Sequence, residues 1–315
     1  MMHIKKYGLL SLLVFWGLSL LSVQKGQAQQ DVQFTQYMFN GLAINPAYAG
    51  SRDVFSVTGL FRKQWTGIEG APVTQTLSGH LPLVKDRIGL GLTLVNDKIG
   101  ITNNFSMIGS YAFRIRFNTG VLAMGIQAAI TQFRANFTDV RFSVDPTSTD
   151  PAFDQNINKT LPNFGTGVYY YTDRFYAGLS VPQLINWDLA DGNISNARQS
   201  RHVFATAGYV FDVSPTVKIR PSLLAKYVSG APFSIDINAN VWLFDRFAVG
   251  GSYRIGDAVN LLAEARISNN ISVGYAYDLT LTQLGRYNSG SHEIMLRVEF
   301  GVGKDKTKIL TPRYF

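Results

Sequence analysis

The chain has 315 residues and a formal net charge of +8, and only 16% of its residues are charged, against roughly a quarter in a typical soluble domain. It contains no cysteine, which excludes a disulfide framework and a cysteine-linked lipid anchor. The low charge, together with abundant Gly, Tyr and Phe, argues against a soluble enzyme and favours a wall that faces lipid.

The N-terminus has the three parts of a secretory signal peptide. Lys5 and Lys6 precede an apolar run at residues 9–21, and a small-x-small cleavage site ends at Ala28. The apolar run is too short to span a bilayer as a helix, and no later stretch reaches about 18 consecutive apolar residues. We therefore expect residues 1–28 to be removed on export.

Residues 29–50 show no alternation of polar and apolar positions. They are rich in aromatic and amide side chains and end in an Asn-Pro turn and Gly50. We predict a plug-like periplasmic segment that packs at or in the periplasmic mouth of a barrel. Its candidate partner-binding residues are Phe34, Tyr37, Phe39, Asn45, Pro46 and Tyr48. Two more candidates, Gln64 and Trp65, lie at the end of the first predicted strand.

After residue 50 the sequence alternates with a period of two, which is typical of strands with two different faces. Ile235 and Ile237 share one face of such a segment, and Asp236 and Asn238 share the other. The segments are about ten residues long, as in strands that cross a bilayer at a tilt. We predict an all-β transmembrane antiparallel barrel over residues 51–300, with about fourteen strands. The strands are predicted near residues 53–65, 73–82, 87–96, 103–116, 120–134, 162–172, 175–183, 202–213, 217–228, 233–243, 247–255, 258–267, 271–280 and 290–300.

The predicted connections differ in length from one end of the barrel to the other. Tight turns such as 117–119 and 244–246 alternate along the chain with longer connections. The longer connections are predicted at residues 66–72, 96–102, 135–161, 182–201 and 280–289. Outer-membrane barrels have short periplasmic turns and long extracellular loops, so an even strand number places both termini in the periplasm. A soluble sandwich, the alternative fold, would not predict this segregation.

The apolar face is expected to contact lipid, and the opposite face predicts a polar, basic lumen. Four lumen positions are candidate partner contacts, although charges of both signs also pair to fill a barrel interior. They are Lys218, Arg220, Lys226 and Arg254. Tyrosines near strand ends are predicted to form an interfacial girdle. These are Tyr169, Tyr170, Tyr171, Tyr275 and Tyr277.

Several segments in order resemble a known family. They include Asn45-Pro46, Gln64-Trp65, the stretch at residues 70–72, the strand at 291–296 and the closing residues 312–315. Together they resemble the PorP/SprF family of outer-membrane proteins, which is associated with the type IX secretion system and gliding motility of Bacteroidetes-type bacteria. The resemblance covers essentially the whole exported chain.

The resemblance implies a non-enzymatic barrel that supports export or surface attachment of a large adhesin-like protein with a type IX C-terminal sorting domain. It also implies contacts with periplasmic components of the machinery. Trp187, in a predicted extracellular loop, and Arg313, in the basic extension 301–315, join the candidate partner-binding residues. Whether the chain is a core component or serves one partner stays open. The alternative function is a passive or fatty-acid-type transport channel with a removable plug.

We expect no catalytic residue, cofactor or metal. His80, His202 and His292 lie on separate predicted strands, and none falls in a metal-binding or nucleophile motif. The oxygen-rich residues at 136–160 match no EF-hand spacing, and a calcium ion there stays open. The positive charge suits lipopolysaccharide phosphates better than nucleic acid, because no nucleic-acid-binding module is present.

Overall fold

The computed structural model describes residues 34–84, 86–137, 156–189 and 198–301. Within these ranges, fourteen antiparallel strands form one wall, and the eighth is interrupted at Val210. The first seven are β1 (Phe55–Lys63), β2 (Val73–Leu83), β3 (Ile88–Ile99), β4 (Thr102–Arg116), β5 (Val121–Ala135), β6 (Ile157–Tyr171) and β7 (Phe175–Val181). The others are β8 (His202–Tyr209 with Phe211–Ser214), β9 (Val217–Val228), β10 (Ser234–Leu243), β11 (Phe247–Arg254), β12 (Ala258–Arg266), β13 (Ile271–Thr280) and β14 (Ser291–Phe300).

The wall closes on itself. Each strand pairs with the next one in the sequence, and β1 pairs with β14 in a register that places Phe55 opposite Phe300. At the middle of the chain, β8 pairs with β7 on one side and with β9 on the other. Closure leaves no free sheet edge along the paired parts, which is the condition for a sheet in lipid. The predicted barrel and its fourteen strands are confirmed.

The two faces of the wall have the predicted polarity. On β10, Ile237 is 52% exposed, whereas its neighbour Asn238 is 1% exposed. On β4, Phe105 and Met107 point outward, and Arg114 is buried in the lumen. Within the described ranges no helix is long and apolar enough to cross a membrane.

The two ends of the barrel differ in their connections. At the short-turn end, where β1 begins and β14 ends, the connections are tight and cover 84–87, 117–120, 172–174, 215–216, 244–246 and 267–270. At the long-loop end the connections 64–72, 136–156, 182–201 and 281–290 are longer. The connections 100–101, 229–233 and 255–257 at that end are also tight, so length segregates only in part.

The long loop predicted at 96–102 is wrong. β3 and β4 remain paired to Ile99 and Thr102, because Asn96 and Asp97 continue the ladder opposite Phe105 and Asn104. The predicted loop at 135–161 is also shorter, since β6 begins at Ile157. Much of that loop and residues 190–197 lie outside the described residues.

The strand ladder of the wall is incomplete at β7. This strand pairs only with the part of β6 from Thr166 to Tyr171, and it ends at Val181. Residues 182–189, which we call the β7 flap, then run beside the remaining part of β6. The flap ends in a two-residue pairing of Trp187–Asp188 with Arg198–Gln199.

Candidate functional site

Residues 34–52 fill the lumen and are called the plug. The plug contains three short turns of 3-10 helix, at Tyr37–Phe39, Gly41–Ala43 and Pro46–Tyr48. Asn45 begins the last turn, where its side chain accepts a hydrogen bond of 2.9 Å from the backbone N–H of Ala47. Most plug side chains are buried. The plug therefore extends through the lumen and is not confined to the mouth.

At the long-loop end, a buried ionic clamp holds the start of the plug. Arg62 lies 2.8 Å from Asp278 and 3.1 Å from Glu293. Glu293 accepts hydrogen bonds from the backbone N–H groups of Thr35, at 3.0 Å, and Gln36, at 2.8 Å. The Thr35 hydroxyl donates to Asp278 at 2.6 Å and accepts from Arg62. The two carboxylates exceed the single guanidinium in charge, and donors of the plug reach both oxygens of Glu293 and one oxygen of Asp278.

At the short-turn end, two further ion pairs fix the exit of the plug into β1. Arg52 pairs with Glu299 near the end of β14, and both side chains are buried. Asp53 has a positive φ of 53°, and its carboxylate pairs with Arg114. The positive φ turns the chain from the lumen into the wall. Both ends of the plug are thus held by charged groups of the wall.

Between these ends, the ring of Phe39 lies between two arginines. The guanidinium carbons of Arg220 and Arg297 are 5.2 and 5.6 Å from the ring centroid. Arg297 also donates a hydrogen bond to the Phe39 carbonyl oxygen and lies 4.0 Å from Glu264. The Arg220 nitrogens have no hydrogen-bond partner among the described residues, so its contact with Phe39 is a cation–π contact.

Glycines in the wall permit the plug to lie against the backbone. A Cβ atom on Gly89 would lie 1.9 Å from the carbonyl oxygen of Ala49, and one on Gly125 would lie 2.2 Å from the nitrogen of Ala47. No other residue fits at such distances without displacing the plug. Further wall glycines with a close plug contact are Gly91, Gly167, Gly178 and Gly274. We did not predict this role from the sequence, although Gly89 and Gly91, like Gly165 and Gly167, recur at a spacing of two.

The girdle predicted for Tyr169 and Tyr171 is wrong. Both side chains face the lumen and are buried. Tyr169 makes an edge contact with Tyr48 of the plug at 5.5 Å, and the Tyr171 hydroxyl accepts from Arg114. Their odd positions share the inward register of β6. Tyr275 is 43% exposed on the outer wall.

The other predicted partner-binding residues are dispersed. Gln64 and Trp65 follow β1 at the long-loop end, and Trp187 lies in the β7 flap, where its indole N–H donates to the Pro162 carbonyl at 2.9 Å. Arg313 lies outside the described residues. Other candidates belong to the plug and are buried inside the barrel, away from the surface. They are Phe34, Tyr37, Phe39, Asn45, Pro46 and Tyr48.

Basic side chains predicted for the lumen form ion pairs with acidic side chains. Lys218 pairs with Asp245 at 2.7 Å. Arg254 lies 3.2 Å from Asp236 and 3.3 Å from Asp257. The Arg254–Asp236 pair is buried and serves interior packing, whereas Asp245 and Asp257 lie part-exposed in connections between strands. Lys226 is buried in the lumen as well.

The histidines of the described ranges lie apart from one another. No group of three His, Cys, Asp or Glu side chains there is placed to hold a metal ion. His80 accepts a hydrogen bond from the backbone N–H of Gly50, His202 lies 2.9 Å from the Ser200 carbonyl, and His292 lies 2.7 Å from the Tyr275 hydroxyl. The three histidines therefore make separate structural contacts.

The sequence matches a family described as type IX secretion system membrane protein PorP/SprF, over residues 26–298. The chain belongs to the PorP/SprF family. Its barrel and this membership place it in the outer membrane. The match covers the plug and all but the last residues of the wall, and so includes both parts of the site.

Solved structures of other membrane proteins are similar to this PorP/SprF chain. The Ralstonia pickettii toluene transporter TbuX has a TM-score of 0.52 at 9% identity, covering 88% of this chain and 96% of its own. The Acinetobacter baumannii outer membrane protein Omp33 has a TM-score of 0.47 at 9% identity, covering 78% and 98%. The similarity to TbuX concerns the barrel fold alone. No curated protein matches the sequence.

Proposed function

We propose that this PorP/SprF protein is a closed docking barrel that supports export and surface attachment of a large adhesin-like secreted protein. The observation that carries the proposal is the plug. It is held by ion pairs at both ends, by arginines around Phe39 and by close backbone contacts at wall glycines. A lumen filled in this way favours a scaffold over an open conduit.

The orientation follows the rule that short turns of outer-membrane barrels face the periplasm. In this proposal the short-turn end contacts periplasmic components of the type IX machinery, and residues 1–28 are cleaved on export. The C-terminal sorting domain of the exported protein docks at the long-loop end, where Trp65 and Trp187 lie. Lipopolysaccharide phosphates are a further proposed partner, because the chain has a formal net charge of +8. The role is non-enzymatic, as the separate contacts of the three histidines support.

The test of the function is a strain that lacks this gene, with its surface proteins measured by mass spectrometry. We expect one giant exported protein to disappear from the surface while other secreted proteins remain. Loss of the whole secreted set would instead indicate a core component of the machinery. An unchanged surface would overturn the proposal.

The channel alternative is tested by conductance of the purified protein in a planar bilayer. We expect no steps at voltages that leave the barrel folded, because the plug occupies the lumen. Large ohmic steps from the full chain would overturn the scaffold and support transport.

The orientation is tested by single cysteines, since the chain has none of its own. Asn118 lies in a short turn, and Tyr287, 74% exposed, lies in a long-loop connection. In intact cells a membrane-impermeant maleimide should label Tyr287→Cys and spare Asn118→Cys. The reverse labelling would contradict the orientation.

A further inference from the structure

A cavity of about 130 Å³ lies inside the barrel between the plug and the β7 flap. We call it the vestibule. Phe34 and Ile44 of the plug line one side of it, and inward-facing residues of β3 to β6, such as Ala129 and Phe133, line the wall. Gln183 and Leu189 of the flap line the remaining side.

The lining of the vestibule is uncharged apart from one carboxylate. Aromatic and aliphatic side chains alternate with amides and hydroxyls such as Gln127, Asn163 and Thr131. Of the described lining residues, Asp97 alone carries a charge, and its carboxylate accepts a hydrogen bond of 2.6 Å from Thr74. The Gln183 side-chain oxygen is buried without a hydrogen-bond partner among the described residues. An occupant with an apolar group and an amide N–H suits this lining, whereas a charged group would lose its hydration.

The size of the vestibule limits what enters it. An apolar cavity of roughly 150 Å³ in another protein holds one benzene molecule. The vestibule, at about 130 Å³, therefore suits one aromatic or branched aliphatic side chain. It is too small for several such groups at once.

The β7 flap offers a route of entry. The flap is attached to β6 by scattered bonds and not by a strand ladder. The backbone N–H of Leu184 donates to the Phe164 carbonyl at 2.8 Å, and the Asn163 side chain bonds the backbone at Leu184 and Ile185. Pro162, which has no N–H, lies on the same stretch of β6. Side-chain donors hold the flap as well, since Gln127 donates to the Pro182 carbonyl and Arg201 to the Leu184 carbonyl. The flap therefore moves by exchange of side-chain hydrogen bonds and without the loss of a strand ladder.

We propose that the vestibule receives one neutral aromatic side chain, together with its backbone amide, from the exported partner. The inference rests on the proposed function and names the chemistry by which the partner is held. The chain's own residues 29–33 are a poorer occupant, because Asp31 would bring a second carboxylate to a site that contains Asp97.

The binding test uses the purified full chain and the probe N-acetyl-phenylalaninamide, with affinity measured by titration calorimetry. N-acetyl-alaninamide and N-acetyl-lysinamide serve as probes without the aromatic group. Ala129→Leu fills the vestibule, and Ala128→Leu adds the same atoms on the outer face of the same strand. We expect the phenylalanine probe to bind best, to lose about tenfold or more in affinity with Ala129→Leu, and to be unaffected by Ala128→Leu.

Equal affinity in the two leucine variants, or a preference for the lysine probe, would overturn the site. Binding that appears only after residues 29–33 are deleted would show that the chain's own segment is the occupant, and would overturn the partner proposal. Heat-modifiable mobility on gels confirms that each variant is folded.

Surface display separates this inference from the proposed function. In a strain where gene deletion abolishes display of the exported partner, the Ala128→Leu gene should restore display fully, and the Ala129→Leu gene should restore it only weakly. Normal display with both variants would overturn the vestibule as the partner site while the proposed function stands.

Discussion

The wall and the plug bury their residues by different rules. The wall repeats one rule along fourteen strands, with apolar side chains outward and polar ones inward, as at Ile237 and Asn238. The plug has no period and depends on individual contacts, such as Thr35 with Glu293 and Ala47 against Gly125. The difference indicates that the wall determines membrane insertion and the plug determines whether the lumen is closed.

The strongest test of this separation is deletion of Phe34–Gly50. No outward-facing strand residue is lost, so we expect the variant to insert into membranes. Its lumen should conduct, with large steps in a planar bilayer where the full chain gives none. A variant that fails to insert would show that the plug is required for the wall to form.

A single wall glycine should reproduce part of that effect. In Gly125→Leu the new Cβ atom would lie 2.2 Å from the nitrogen of Ala47, so we expect the plug to be displaced and conductance steps to appear. Gly109→Leu is the matched control, because a Cβ at Gly109 has nothing within 4 Å. Equal conductance in the two variants would contradict the close packing of the plug.

The ionic clamp provides a stability test. Arg62→Met leaves Asp278 and Glu293 buried without their cation, and we expect a loss of about 3–5 kcal/mol in the free energy of unfolding. Arg116→Met is the control, since that half-exposed arginine pairs with Asp86 at the short-turn end and should contribute about 1 kcal/mol or less. Urea unfolding in liposomes measures both. Similar losses of unfolding free energy in the two variants would mean that water reaches the ionic clamp and screens its charges.

The smallest expected effect concerns the wall. Ile237→Arg should destabilise the barrel by about 2–4 kcal/mol if it lies near the bilayer midplane. Leu279→Arg, one residue from the end of β13, should cost only about 0–1 kcal/mol. The same urea assay applies. If the two costs are equal, the outer face at Ile237 does not contact the membrane core.

Much of the fold was predictable because each strand carries its own two-residue period. The strand positions, the outward set of β4 and the polar lumen all follow from that local signal. The extent of β3 was not, since Asn96 interrupts the apolar face while its backbone remains paired. Tyr169 and Tyr171 were misplaced because a tyrosine suits both a membrane interface and a polar interior.

The candidate site was predictable only as a segment. The sequence marks residues 29–50 as different from the wall, and it supplies the basic residues of the lumen. It does not show that Arg62, Asp278 and Glu293 converge on Thr35, because these residues lie far apart in the chain and each has the ordinary pattern of its strand. The vestibule depends in addition on where β7 ends.

The sequence by itself determined the barrel, its two faces and, through segments in a fixed order, the family. These properties arise from short-range alternation and from local motifs, which do not require distant residues to be placed together. The tertiary structure alone decided that the plug fills the lumen, that wall glycines accommodate it, and that a cavity with a single charged lining residue, Asp97, among the described residues remains beside it. The physical reason is that these features need residues from distant strands. Only closure of the barrel places β3, β6 and β14 around the same lumen.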